Sequence, residues 1–142
     1  MIDTSTLVSA ALRPGSIPDQ VLTAALSPYE LCASAETLDE LARVLDRSKF
    51  DRYRDRESRR EFVETIRDRA QCFEVEDAGP NSIDPPCRDI SDNRILLLAR
   101  AADAYLIVSS DSDLLVLHPW RGIPIVTPAD FLAGAAPALT AE

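Results

Sequence analysis

The sequence predicts an α/β fold: a parallel sheet covered on both faces by helices. Three observations carry the prediction. Short apolar strands alternate with segments of helical periodicity along the chain. The most apolar strand, Tyr105 to Ser109, runs into Asp111 and Asp113. Asp3 directly follows Ile2, the end of a first strand. Ligands of such sheets bind outside the carboxyl ends of the strands. Asp3 and Asp111 both fall at such ends and are read together.

The elements follow in order. Ile2 ends the first strand, and a small apolar segment, Leu7 to Leu12, is broken by Arg13-Pro14-Gly15-Ser16. Pro18 to Leu26 reads as a helix, with proline near its start, where a missing N–H costs little. Tyr29 to Ala33 is a short strand. Ser34, or alternatively Thr37, caps the next helix, whose Leu38, Leu41, Val44 and Leu45 recur at helical spacing. Glu40 and Arg43 lie off that stripe. The stretch from Lys49 to Arg60 is highly charged, and a helix then turns Phe62, Ile66 and Ala70 inward. Cys72 to Val75 is a strand, and Asp77 to Arg88 is a loop with Gly79 and three prolines. Asp92 to Ala102 is a helix, and Tyr105 to Ser109 is the most buried strand. Leu114 to Leu117 forms a helical turn, and Ile123 to Val126 is a last strand that Pro124 marks as an edge. Pro128 to Leu132 begins a final helix. Residues 1–133 form a single domain, and 134–142 are a flexible Ala- and Pro-rich tail.

A chain of 142 residues is long enough to bury a proper core. It carries 24 Asp and Glu against 15 Lys and Arg, a net charge of -9, which argues against non-specific coating of nucleic acid. Cys32, Cys72 and Cys87 are widely spaced, with no Cys-x-x-Cys pair and a single histidine, His118. That pattern excludes a zinc cluster and a disulfide framework, and free thiols fit a reducing cytoplasm. No signal peptide is visible, and no apolar run approaches the ~20 residues of a membrane span.

The acids that matter are Asp3, Glu40, Asp92 and Asp111. Two carboxylates about 4 Å apart repel by roughly 4 kcal/mol at an effective dielectric near 20, so gathering four requires a counter-charge. Mg²⁺ and Mn²⁺ are hard ions that prefer carboxylate and water oxygens. A metal pair can clamp a scissile phosphate and activate water, so neither a nucleophilic side chain nor a histidine base is needed. Each acid also has a structural reading. Asp3 can accept a turn hydrogen bond, Glu40 can be a solvated helix residue, and Asp92 can cap its helix. Asp111 and Asp113 can cap the turn before Leu114, and Asp89 can be a loop acid. His118 is a loop or packing residue, and the arginines of 52–60 form a solvated face. The inference rests on the joint pattern.

That pattern resembles a PIN domain. The residues that carry the likeness are Asp3-Thr4, Ser34-x-x-Thr37-x-x-Glu40-Leu41-x-x-Val44-Leu45, Asp89-x-x-Asp92-Asn93 and Ser109-x-Asp111-x-Asp113-Leu114-Leu115. The closing stretch from Gly122 to Leu132 is similar to the family's last strand and helix. The likeness covers nearly the whole chain and points in particular to bacterial and archaeal PIN proteins described as toxin components of toxin–antitoxin pairs. It implies a three-layer α/β/α sandwich with a central parallel sheet, and an Mg²⁺- or Mn²⁺-dependent ribonuclease. It implies that Asp3, Glu40, Asp92 and Asp111 are the catalytic, metal-binding acids, with Asp113 a further ligand. Thr4, Ser5, Asn93, Ser109 and Asp89 take supporting positions. A homodimer and a cognate antitoxin are the implied partners besides RNA.

Two departures stand out. Only Met1 and Ile2 precede Asp3, so either the first strand is very short or the start codon is placed late. Ser5 stands where the family often has Asn. The leading expectation is a cytoplasmic endoribonuclease toxin, with Arg43, Arg47, Lys49 and Arg52 as phosphate contacts. The alternative is a catalytically weak or inactive PIN-like module that binds RNA or protein. A phosphotransferase is disfavoured: Asp3-Thr4-Ser5 lacks a second Asp two residues on, and Lys49, the one lysine, is far from the fourth strand.

Overall fold

The computed structural model describes residues 1–27, 29–75 and 90–134, with the backbone alone at 90–92. The loop expected from Asp77 to Arg88, together with Asp89, Cys87 and the tail beyond Gly134, lies outside the described residues. The elements are α1 (Thr4–Leu12), α2 (Ile17–Leu26), β1 (Cys32–Ala33), α3 (Ala35–Leu45), a 3-10 turn (Ser48–Phe50), α4 (Arg56–Arg69), β2 (Gln71–Cys72), α5 (Ile90–Ala101), β3 (Ile107–Val108), α6 (Ser112–Leu115), β4 (Ile125–Val126) and α7 (Pro128–Leu132).

The fold is α/β and rich in helix. Its strands are shorter than the sequence suggested. β1 and β2 pair in parallel, with Cys32 opposite Gln71, and β3 and β4 pair in parallel, with Ile107 opposite Ile125. The first strand contracts to a single parallel bridge between Ile2 and Val108. Ladder bonds frame these short cores: Val108 N–H donates to Met1 O at 2.8 Å and Asp3 N–H to Val108 O at 3.2 Å. Ser109 N–H donates to Val126 O at 2.9 Å. Of the strands expected at Tyr29–Ala33, Cys72–Val75, Tyr105–Ser109 and Ile123–Val126, each keeps one or two paired residues: the last two of the first and fourth, Ile107 and Val108 of the third, and Cys72 alone of the second, which starts one residue earlier at Gln71. Pro124 has no N–H to extend β4, although its carbonyl accepts from Ile107 at 2.8 Å. Among the described residues the four strands form two separate pairs, not one continuous sheet.

The apolar side chains alternate along each strand. Ile2, Leu31, Ala33, Leu106, Val108 and Val126 pack with α1, α2, α3 and α4. Met1, Ile107 and Ile125 pack with α5, Leu114 of α6 and Trp120, and Cys32 lies against that second cluster. A period of two sends neighbours to opposite faces, so the segments around β1, β3 and β4 feed both cores, whereas Gln71 and Cys72 of β2 are exposed.

Local chemistry sets the helix starts. Ser34 caps α3 through a reciprocal pair: Thr37 N–H donates to Ser34 Oγ at 3.2 Å, and Ser34 N–H donates to Thr37 Oγ1 at 2.9 Å. The segment Leu7 to Leu12, left untyped by the sequence, is the body of α1, with Asp3 as its N-cap. In α4 the inward stripe is Arg59, Val63 and Ile66, whereas Phe62 and Ala70 are only half-buried. Arg59 is the main surprise of the charged run. It is buried, donates to the carbonyls of Leu45, Arg47 and Arg54, and pairs with Asp51. It holds the α3–α4 connection together and is no part of a solvated face.

Asp46 ends α3 and receives two hydrogen bonds from Arg56, at 2.8 and 2.7 Å, and one from Arg60 at 3.2 Å. The Arg56 bonds chiefly hold its carboxyl well below the usual aspartate range. A depressed carboxyl pKa contributes stability above the unfolded value of about 3.9 and loses it as the pH falls. The gap in urea midpoint between the native protein and Asp46→Asn is therefore expected to be present at pH 7 and to shrink below about pH 4.

Candidate functional site

Asp3 is the best-fixed acid of the expected set. It sits where the chain leaves the bridge at Ile2 and enters α1. Its Oδ1 accepts the Thr6 N–H at 3.0 Å, and its Oδ2 accepts the Ser109 hydroxyl. The Ser5 hydroxyl lies 3.5 Å from the same Oδ2. Only 4% of Asp3 is exposed. A buried carboxylate must be hydrogen-bonded, and the positive end of α1 further favours its charge.

Ser109 is fully buried and serves two segments. Its Oγ donates to Asp3 and accepts the Asp111 N–H at 3.0 Å. Asp111 then caps α6, its Oδ1 accepting the Asp113 N–H at 2.9 Å. Thr4, the first residue of α1, donates its hydroxyl to Glu40 Oε2 of α3 at 3.0 Å. Two adjacent residues thus tie α1 to the end of β3 and to the middle of α3.

The result is a cleft of about 780 Å³. Asp3, Glu40 and Asp111 all line it, with Thr4, Ser5 and Ile95 of α5. A second stretch of its lining carries Arg13, Arg47, Lys49, Phe50 and Tyr53. None of the three carboxylates forms an ion pair with lysine or arginine among the described residues. The donors are all hard oxygens, the kind Mg²⁺ and Mn²⁺ take. Among the described residues no three His, Cys, Asp or Glu side chains gather closely enough to hold a metal ion.

The remaining expected residues divide. Asp92 stands in the first turn of α5, one turn before the cleft residue Ile95, and its side chain lies outside the described residues, as does all of Asp89. Asn93 and Asp113 are half-buried and do not line the cleft. Arg47 and Lys49 do line it. Arg43 instead borders a separate groove of about 340 Å³ with Asp46, Arg59, Arg60 and Glu64, and does not line the cleft. Arg52 is engaged with Tyr53, its guanidinium 4.9 Å from the ring centroid and 2.9 Å from the hydroxyl. That contact draws the Tyr53 phenol below its usual range. His118 is a loop residue whose Nδ1 accepts the Ile125 N–H at 2.8 Å. Burial raises the Cys32 thiol, which disfavours the reactive thiolate.

Sequence reasoning missed Arg13, Phe50 and Tyr53. Arg13 follows a helix it did not recognise. The alternation Lys49-Phe50-Asp51-Arg52-Tyr53 was a usable signal, since rings set among cations suit nucleic acid.

Ser109→Ala strands the Asp111 N–H and removes one of the bonds that fix Asp3. Urea unfolding is expected to show a loss of about 1–3 kcal/mol.

No helix among the described residues is long and apolar enough to cross a membrane. A family model described as PIN domain matches residues 1–113. No curated protein and no solved structure matches the chain.

Proposed function

The chain belongs to the PIN-domain family, and from that premise we propose that it is a metal-dependent endoribonuclease, the toxin of a toxin–antitoxin pair. PIN domains are generally nuclease domains that use Mg²⁺ or Mn²⁺. The observation that carries the reading is the convergence of Asp3, Glu40 and Asp111 on one cleft. Asp92 is the fourth acid of the proposal, contributed by the α5 turn that precedes Ile95. Asp113, in the first turn of α6 beside the cleft residue Asp111, is a further ligand of the proposal, with Asn93 and Asp89 in support.

In this reading the carboxylates would hold Mg²⁺ or Mn²⁺. When bound, the ion supplies an activated water at neutral pH and neutralises charge on the phosphate. The protein's own part is positional. Ser109 and the start of α1 fix Asp3, Thr4 fixes Glu40, and the cap of α6 fixes Asp111. Arg47 and Lys49 face the same cleft and attract the phosphate backbone, so RNA binding should weaken with salt.

On the same premise the two strand pairs, separate among the described residues, would belong to one central sheet with Ile2 between β1 and β3. The two apolar clusters would be the flanking helix layers of a three-layer sandwich, a single domain over residues 1–133. Met1, Ile2, Leu31, Cys32 and Ala33 line one small cavity, which favours side-by-side strands. A homodimer, a cognate antitoxin and a cytoplasmic setting belong to the toxin reading. A second reading, a binding module without turnover, is favoured by the single-bridge first strand and by Ser5.

Cleavage of a structured RNA panel separates the two. The nuclease reading expects cutting with Mg²⁺ or Mn²⁺ that stops in EDTA. Asp111→Asn should reduce it beyond the ~10–100-fold that outer-shell changes cost. Asparagine still caps a helix well, so the variant should stay folded. Folded native protein that never cuts the panel favours the binding module.

A further inference from the structure

Metal chemistry does not explain the second wall of the cleft. That wall is the 3-10 turn Ser48–Phe50 with the residues just after it, set against α1. Two of the chain's few rings, Phe50 and Tyr53, line the cleft there, and 44% of Tyr53 is exposed. Each ring carries a cation: Lys49 Nζ is 5.1 Å from the Phe50 centroid, and Arg52 lies over Tyr53. Arg13, Arg47 and Lys49 have no carboxylate partner among the described residues, although acids outnumber bases 24 to 15. Cations left unpaired in so acidic a chain, on the rim of a cleft, suit an anionic ligand.

The wall is also fixed in place. Buried Arg59 holds the carbonyls of Leu45, Arg47 and Arg54, and Arg54 donates to Ala11 O of α1 at 2.7 Å. A surface ordered before binding loses less entropy when a ligand arrives.

We propose that this wall is a nucleobase-stacking subsite, in which Tyr53 and Phe50 take an unpaired base and Arg13, Arg47 and Lys49 hold the adjoining phosphates. The proposal rests on the nucleic-acid reading of the cleft. Cations alone would attract any polyanion. The exposed Tyr53 ring, with half-buried Phe50 beside it in the cleft lining, adds recognition of the base with little sequence preference, because every base has a π face. A base paired within a duplex has both faces covered by its neighbours, so the subsite takes only unpaired ones.

The test measures binding, so it does not depend on cutting. Fluorescence anisotropy compares a short labelled oligouridylate with an abasic strand of equal length and charge, in Ca²⁺ and again in EDTA, with both strands checked as intact. The native protein is expected to prefer the oligouridylate. Tyr53→Ala should weaken that strand about tenfold and leave the abasic one unchanged. Tyr53→Trp should keep the preference, and Tyr53→Leu, which keeps bulk without a ring, should lose it. Arg47→Ala should weaken both strands alike and lower the salt slope by about one.

Loss of both strands together in folded Tyr53→Ala overturns the subsite. So does an unchanged preference, or native protein that binds neither strand in either condition. Protein that prefers the base-bearing strand but never cuts RNA keeps the subsite and loses the nuclease reading. Protein that cuts with no such preference does the reverse.

Discussion

The hydrogen bond from Ser109 to Asp3 is the contact on which the site depends. It joins residues 106 positions apart, at the ends of the Ile2 bridge and of β3. A carboxylate this buried survives only with its lone pairs occupied or its charge opposed. Ser109 supplies one donor and the first turn of α1 another. The same hydroxyl accepts the Asp111 N–H and so sets where the second acid leaves the strand. Remove it, and two carboxylates lose their common reference point.

Asp3 and Asp111 each cap a helix and line the cleft. Asp3 caps α1 through Oδ1, and Asp111 caps α6 through Oδ1. The structural and the functional readings of these acids therefore do not compete, because one oxygen can serve the helix while the carboxylate as a whole faces the cleft. Capping also anchors each acid to a rigid element, and catalytic geometry requires that: a misplacement of about 1 Å can cost ~10²-fold in rate. Glu40 is held differently, by a neutral hydroxyl that leaves its charge uncompensated. The same cleft is also lined by Arg13, Arg47, Lys49, Phe50 and Tyr53, so acids, cations and rings share one space.

Much of this was legible in the sequence, for identifiable reasons. Helical spacing located α3 and its buried Leu38, Leu41 and Leu45, and Ser34 and Thr37 announced its start. The run from Tyr105 to Ser109 marked the central strand, although pairing confines β3 to two residues. Acids at strand ends pointed to Asp3 and Asp111, and both line the cleft. The charged stretch was read less well. Composition cannot separate Arg59, which is buried among carbonyls, from Arg43, which borders another groove, because each sits in a helix that mixes acids with arginine. Arg13 and Tyr53 meet the cleft only through tertiary packing across forty residues of chain, which no local pattern encodes.

The central claim is that Asp3, held by Ser109, belongs to a divalent-cation site. Titration of metal-free protein with Mn²⁺, followed by electron paramagnetic resonance, tests it most directly with the native chain beside Asp3→Asn. Asparagine retains the oxygen that caps α1 and removes the charge. The account predicts saturable Mn²⁺ binding by the native protein and at least about tenfold weaker binding by the folded variant. Equal binding by both, or none by the native protein, would contradict it.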